Sequence, residues 1–103
     1  MHYKILLTQS FRNHLDNALH YITTKLLNHI AATNLLKKTK ETINMLSDTP
    51  AAFPVYHGTS NNKYEYRHIL VGNYIIFYRI EESSKTVYIM RFLYSGQDIE
   101  KLI

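Results

Sequence analysis

The residues best suited to chemistry lie in the C-terminal third of the chain, in a stretch typical of consecutive antiparallel strands. Arg67 and Arg91 lie in two of these strands, and as a pair they could hold a phosphate or a partner carboxylate. His68 follows Arg67 and could titrate near neutrality as an acid or a base. Tyr94, just past the last strand, could donate a proton. These four residues form the candidate site.

Each of these residues also has a structural interpretation. The arginines could pair with a glutamate such as Glu65 or Glu81, or cap the edge of the sheet, and Tyr94 could simply pack. His68 could face solvent or bond a neighbour. Other chemistries have less support, because the six histidines lack compact metal-ligand spacing and the serines lack a nucleophile elbow. We therefore expect no metal and no cofactor.

The N-terminal half must supply the elements that support this stretch. Residues 3–7 form a short apolar run that predicts a first strand. Ser10 is predicted to cap a helix over residues 11–27, in which apolar residues recur at three- and four-residue spacing. A second helix is predicted over residues 31–46, and Pro50 cannot continue it. The connection is short, so the two helices should be antiparallel neighbours.

The C-terminal half is predicted to form three strands after a loop over residues 51–63. The strands are predicted over residues 64–71, 74–81 and 86–93. Gly72-Asn73 is a two-residue hairpin signal, and residues 97–103 could form a short terminal helix. The fold class is therefore α+β in the order β-α-α-β-β-β. A helical hairpin packs on one face of a twisted, mainly antiparallel sheet.

Composition limits the class of protein. A length of 103 residues predicts a single domain, residues 1–103, and 46% hydrophobic residues suffice for a core. The chain has no cysteine, no apolar run of transmembrane length and no signal-peptide pattern, so we expect a soluble, cytoplasmic protein that does not enter the membrane. The net charge of +4 is compatible with nucleic acid or an acidic partner and demands neither.

The order and spacing of the C-terminal elements resemble the RelE/ParE superfamily of bacterial toxins. The residues that carry the resemblance are 67–78, with their Gly-Asn turn and aromatic-rich strand, and 91–99, RFLYSGQDI. The resemblance implies a toxin of a type II toxin–antitoxin system that inhibits growth, contributes to plasmid stabilisation and is neutralised by a cognate antitoxin. RelE-like members cleave mRNA on the ribosome, whereas ParE-like members poison DNA gyrase.

The chain departs from the nuclease pattern at two places. In the nuclease branch an arginine commonly follows the first tyrosine of the strand after the hairpin, and Ile75 stands at that position. The terminal turn often carries lysine or arginine, where this chain has residues 95–97, Ser-Gly-Gln. The resemblance therefore favours a ParE-like toxin that binds and inhibits gyrase. The alternatives are a metal-independent ribosome-dependent endoribonuclease using Arg67, Arg91, Tyr94 and His68, and a degenerate toxin that binds only antitoxin.

The resemblance also predicts where the antitoxin binds. Its extended or helical segment should cover the apolar groove between the helical hairpin and the sheet. Further candidates for contact with the antitoxin or the target are Lys37, Lys38, Lys40 and Arg79. The commoner interpretation of the lysines is a solvated helix face.

Overall fold

The computed structural model describes residues 2–57, 64–97 and 99. Its elements are β1 Lys4–Leu7, α1 Gln9–Thr24, α2 His29–Met45, β2 Arg67–Val71, β3 Tyr74–Glu81 and β4 Thr86–Tyr94. A short 3-10 helix, Pro50–Ala52, follows α2. The predicted order and α+β class are confirmed. The predicted terminal helix lies outside the described residues, apart from Gln97 and Ile99. None of the helices described is long and apolar enough to cross a membrane.

The first helix begins earlier than predicted because its cap is Thr8. The Thr8 hydroxyl accepts a hydrogen bond from the Phe11 N–H (3.1 Å) and donates one to the Ile89 carbonyl (2.8 Å). The prediction of Ser10 as the cap is therefore wrong. Capping depends on which side chain reaches the unpaired amides of the first turn, and the bond to Ile89 holds Thr8 in that position. The helix thereby starts against β4.

The sheet has the strand order β1-β4-β3-β2. Strand β1 runs parallel to β4, and the other pairs are antiparallel, as the mainly antiparallel prediction requires. Gly72 has a φ of 58°, the left-handed conformation that a two-residue hairpin needs and that glycine adopts without strain. A bulge in the β3–β4 pairing lies between Phe77 and Tyr78.

Apolar side chains are buried on both faces of the sheet. The helix face, which the two helices cover, holds the larger cluster, including Phe11, Ile76 and Tyr78. The opposite face, which we call the second face, holds a smaller cluster of Tyr66, Ile75, Phe77 and Leu93. Side chains of successive strand residues alternate between the faces, so the two clusters use alternate positions of β3.

Candidate functional site

The strand register separates the two predicted arginines. Arg67 pairs with Tyr78, whereas Arg91 pairs with Phe77, the preceding residue of β3. Residues that pair directly share a face, and successive residues lie on opposite faces. Arg67 therefore lies on the helix face with Tyr78, and Arg91 lies on the second face with Phe77. The structure does not bring the predicted arginine pair together.

Arg67 and Tyr78 hold the segment that follows α2 against the sheet. The Arg67 guanidinium donates to the Phe53 carbonyl at 2.6 Å, and the fully buried Tyr78 hydroxyl donates to the Pro50 carbonyl at 2.5 Å. Burial raises the pKa of Tyr78 to about 12, and the charge of Arg67 opposes this rise. We call Arg67, Tyr78 and residues 50–53 the Arg67 anchor. The Arg67 guanidinium and the Tyr78 hydroxyl both donate hydrogen bonds to backbone carbonyls.

His68 lies on the second face beside Phe77, which separates it from Arg91 in the register. The Tyr56 ring meets the His68 ring edge-on, with the ring centroids 5.4 Å apart. The buried Nδ1 of His68 has no hydrogen-bond partner within the part of the chain that the structure describes. His68 and Arg91 thus share a face with an aromatic side chain between them.

Arg79 is already engaged by three side chains. Its guanidinium carbon lies 4.2 Å from the ring centroid of Tyr64 and 4.0 Å from that of Tyr88. Its Nη1 also lies 3.6 Å from a carboxylate oxygen of Glu81, and only 16% of the Arg79 side chain is exposed. Cation–π contacts of this kind favour an ordered guanidinium. A role of Arg79 in partner binding stays a prediction.

The predicted lysines of α2 are accessible. Lys37, Lys38 and Lys40 are all exposed. Lys40 lines an open cleft of about 500 Å³ beside β1, together with Arg12. Partner binding through these lysines also stays a prediction.

Ile75, which stands where the nuclease pattern has arginine, belongs to the apolar cluster of the second face. It is 9% exposed and packs with Tyr66, Phe77 and Leu93. A charge at this position would have to be paired or hydrated at a free-energy cost. At this position the second face therefore packs an apolar side chain where the nuclease pattern has a cation.

A pocket with several polar side chains in a largely apolar lining lies where α1 meets the C-terminal end of β4. It has a volume of about 270 Å³ and is lined by His14, Asn17, Ala18, Tyr74, Phe92, Leu93, Tyr94 and Gln97. We call it the His14 pocket. The Nδ1 of His14 accepts a hydrogen bond from the Phe92 N–H at 3.5 Å. Burial lowers the pKa of His14, and the charge of Arg91 lowers it further. Both effects favour a neutral imidazole.

Tyr94 forms the outer wall of this pocket. It is 49% exposed, and its ring meets that of Tyr74 edge-on with the centroids 5.7 Å apart. Its N–H donates to Oε1 of Gln97 at 3.1 Å. A Cβ on Gly96 would lie 2.6 Å from the Tyr94 ring, so glycine allows the ring to lie over the turn. The predicted site residue Tyr94 is thus accessible, whereas Arg67 is not grouped with it.

An apolar groove adjoins the His14 pocket and shares Tyr74 and Tyr94 with it. The groove has a volume of about 580 Å³ and is lined by Tyr21, Ile22, Leu26, Asn28, Ala31, Asn73, Tyr74 and Tyr94. We call it the Leu26 groove. Leu26 and Tyr21 are 57% and 52% exposed. The groove lies between the helical hairpin and the sheet, where the sequence predicts an apolar binding surface.

The comparisons with known proteins agree with this fold. The family model described as "ParE toxin of type II toxin-antitoxin system, parDE" matches residues 5–99. The chain belongs to the ParE toxin family. It is therefore a toxin of a type II toxin–antitoxin system, as the RelE/ParE resemblance predicts. No curated protein sequence matches this ParE-family chain.

Solved structures of both branches of the superfamily resemble this ParE-family chain. The "Chromosomal ParDE TA system from P. aeruginosa" aligns with a TM-score of 0.67 at 15% identity, covering 89% of this chain and 95% of the other. An archaeal RelE–RelB complex from Pyrococcus horikoshii gives a TM-score of 0.61 at 15% identity, covering 94% and 99%.

The toxin–antitoxin complex RelBE2 from Mycobacterium tuberculosis gives a TM-score of 0.55 at 21% identity, covering 91% of this chain and 99% of the other. At these identities the likenesses show the fold alone. They confirm two helices on a four-stranded sheet as the architecture of this ParE-family chain.

His14 is the pocket residue that sequence reasoning missed. It lies on α1, 78 positions before Phe92, and accepts a hydrogen bond from the Phe92 N–H. Its spacing along α1 carries no signal, because its partners come from the far end of the chain. The alignment of α1 with the end of β4 creates the pocket, and only the folded chain shows this alignment.

Proposed function

We propose that this ParE-family toxin acts by binding and inhibiting DNA gyrase, and that it carries no catalytic residues of its own. One observation carries the proposal. The register places Arg67 on the helix face, where it bonds the Phe53 carbonyl, and Arg91 on the second face. RNA cleavage needs several groups around one phosphate, for nucleophile activation, charge stabilisation and protonation of the leaving oxygen. Arg67 and Arg91, two of the four predicted nuclease residues, thus lie on opposite faces of the sheet.

The two departures from the nuclease pattern support the same proposal. Ile75 is buried among apolar groups, so no cation takes its place on the second face. Gln97 uses its carbonyl oxygen to fix the Tyr94 N–H, which makes it a turn-stabilising residue without charge. The family match over residues 5–99 is to ParE toxins, and this supports the gyrase branch.

We also propose a cognate antitoxin as the partner that neutralises the toxin. Similar structures are described as toxin–antitoxin complexes. The Leu26 groove supplies exposed apolar surface that a helical or extended antitoxin segment would bury, since burial of apolar area drives such association. Toxicity would follow loss of the antitoxin, which is the basis of plasmid stabilisation.

Incubation of the purified toxin with gyrase, ATP and plasmid DNA tests the gyrase proposal. We expect stalled gyrase–DNA complexes and linear plasmid, SOS induction in expressing cells, and continuing translation in a ribosomal extract. Addition of the antitoxin should reverse each effect.

The alternative is a ribosome-dependent endoribonuclease. It is favoured by the accessible Tyr94, which lines one pocket with His14, and by the charge of Arg91, which acts on His14. Cleavage of ribosome-bound mRNA that is lost in Arg91→Ala and Tyr94→Phe, and kept in the control Lys4→Gln, would overturn the gyrase proposal. Lys4→Gln is a matched control because it removes one exposed positive charge from a strand outside the pocket.

A further inference from the structure

In the His14 pocket, backbone N–H groups bond the acceptor atoms of two side chains, and donor atoms of those side chains remain available. The Nδ1 of His14 accepts from the Phe92 N–H, so the neutral ring carries its proton on Nε2. The Oε1 of Gln97 accepts from the Tyr94 N–H, and the Gln97 NH₂ has no hydrogen-bond partner among the described residues. Backbone amides therefore fix the orientation of both side chains and turn them into donors.

A positive charge lies near the pocket. None of the described residues that line the pocket is acidic. Arg91 lies near enough to His14 for its charge to lower the pKa of the imidazole. The Asn17 amide and the Tyr74 and Tyr94 hydroxyls add further groups able to donate. A cavity with donors, a nearby guanidinium and no carboxylate among its described lining residues is complementary to an oxyanion.

The adjoining surface decides which oxyanion fits. The pocket continues into the Leu26 groove through Tyr74 and Tyr94. Nucleic acid repeats its phosphates along the strand, and proteins bind it largely by neutralising several of them with lysine and arginine. The Leu26 groove instead exposes apolar side chains, with Leu26 57% and Tyr21 52% accessible. A ligand that fills both spaces therefore combines one carboxylate with apolar groups, as an amphipathic protein segment does.

We infer that the His14 pocket receives an aspartate or glutamate side chain of the antitoxin, while apolar residues of the same segment fill the Leu26 groove. His14 Nε2–H and the Gln97 NH₂ bind the carboxylate, and Arg91 adds long-range attraction. The identity of the partner rests on the proposed function. The carboxylate specificity of the pocket rests on the hydrogen bonds and charges described above.

Binding of the antitoxin encoded beside this gene tests the inference, with isothermal titration calorimetry as the measurement. We expect His14→Leu and Gln97→Leu in the full-length toxin each to weaken binding about tenfold or more, the loss of one hydrogen bond to a charged group. Gln97 is exposed, so its variant reports on binding even if His14→Leu is destabilised. His20→Leu is the matched control, because His20 is an exposed histidine of the same helix that does not line the pocket.

A double-mutant cycle identifies the partner group. Each acidic residue of the antitoxin is replaced by its amide, and we expect one replacement to weaken binding to wild-type toxin and to have little further effect on Gln97→Leu. Undiminished binding by both pocket variants would overturn the inference while leaving antitoxin neutralisation intact.

Two other outcomes would also be decisive. An antitoxin that neither binds nor neutralises wild-type toxin would overturn the proposed function and the inference with it. The toxin could instead bind a single-stranded RNA and lose that binding in Gln97→Leu, with antitoxin binding unchanged. This result would assign the pocket to nucleic acid and overturn the carboxylate assignment.

Discussion

The Arg67 anchor and the His14 pocket contain similar residue types and use them in opposite ways. Each contains a tyrosine of the sheet, and an arginine belongs to the anchor and lies near the pocket. In the anchor, Arg67 and Tyr78 donate to backbone carbonyls of the segment after α2. In the pocket, backbone amides occupy the acceptor atoms of His14 and Gln97, and donor atoms remain. Residue type alone therefore does not distinguish a structural cluster from a binding site.

The two regions differ because a segment of the chain covers the anchor. Residues 50–56 pass over the anchor, and the Pro54 carbonyl and Val55 pair with β2 beside it. Tyr78 is consequently 0% exposed, whereas Tyr94 is 49% exposed. The described residues place no comparable segment over Tyr94. The anchor should therefore contribute to stability, and the pocket should contribute to binding.

The largest expected contrast is between the two tyrosines. Tyr78→Phe should lower the free energy of unfolding by about 1–3 kcal/mol, because the buried Pro50 carbonyl loses its donor. Tyr94→Phe should change it by about 0.5 kcal/mol or less, because its hydroxyl lies on an exposed side chain. Urea unfolding followed by circular dichroism measures both. Equal losses in the two variants would remove the distinction between anchor and pocket.

The two arginines should differ in the same direction. Arg67→Met should destabilise the fold by about 1–2 kcal/mol, since the Phe53 carbonyl, in a partly buried position, loses a charged donor. Arg91→Met should lower the free energy of unfolding by about 0.5 kcal/mol or less, because among the described residues the Arg91 guanidinium bonds only the adjacent Met90 carbonyl. Thermal unfolding compares them. A more stable Arg67→Met than Arg91→Met would show that Arg67 does not anchor the segment after α2.

The smallest expected effect is electrostatic. Burial first, and the charge of Arg91 second, lower the pKa of His14 below 6.5. Arg91→Gln should raise this pKa, and Lys4→Gln should leave it unchanged. The folded state favours neutral His14, so the stability that this shift contributes is present above pH 6.5 and is lost as the pH falls through the folded-state pKa. An NMR titration of the His14 ring protons measures the shift, and an unchanged pKa in Arg91→Gln would place the guanidinium too far away to act.

Much of the fold follows from local patterns. Runs of β-branched and aromatic residues, separated by short turns, predict strands β3 and β4 almost to the residue. Gly72 adopts the left-handed conformation that the hairpin signal requires. The cap of α1 does not follow from such patterns, because the Thr8 hydroxyl is positioned by the Ile89 carbonyl from β4. Local signals fail where a distant strand holds the deciding side chain.

The candidate site follows from the sequence only in part. Arg91 and Tyr94 lie beside the pocket or line it, as their place near the end of the last strand suggests. Arg67 belongs to the anchor, because the pairing register assigns it to the face of Tyr78. His14 enters from α1, with no sequence signal near it.

The sequence by itself determined the order of the elements, the membership of the RelE/ParE superfamily and the absence of basic groups at Ile75 and Gln97. These are properties of residue type and spacing, and they do not depend on contacts between distant parts of the chain. Only the tertiary structure decided that Arg67 donates to a backbone carbonyl and that His14 lies in a pocket with Tyr94. Strand register and helix packing bring together residues far apart in the chain, and the chemistry of a site depends on those distances.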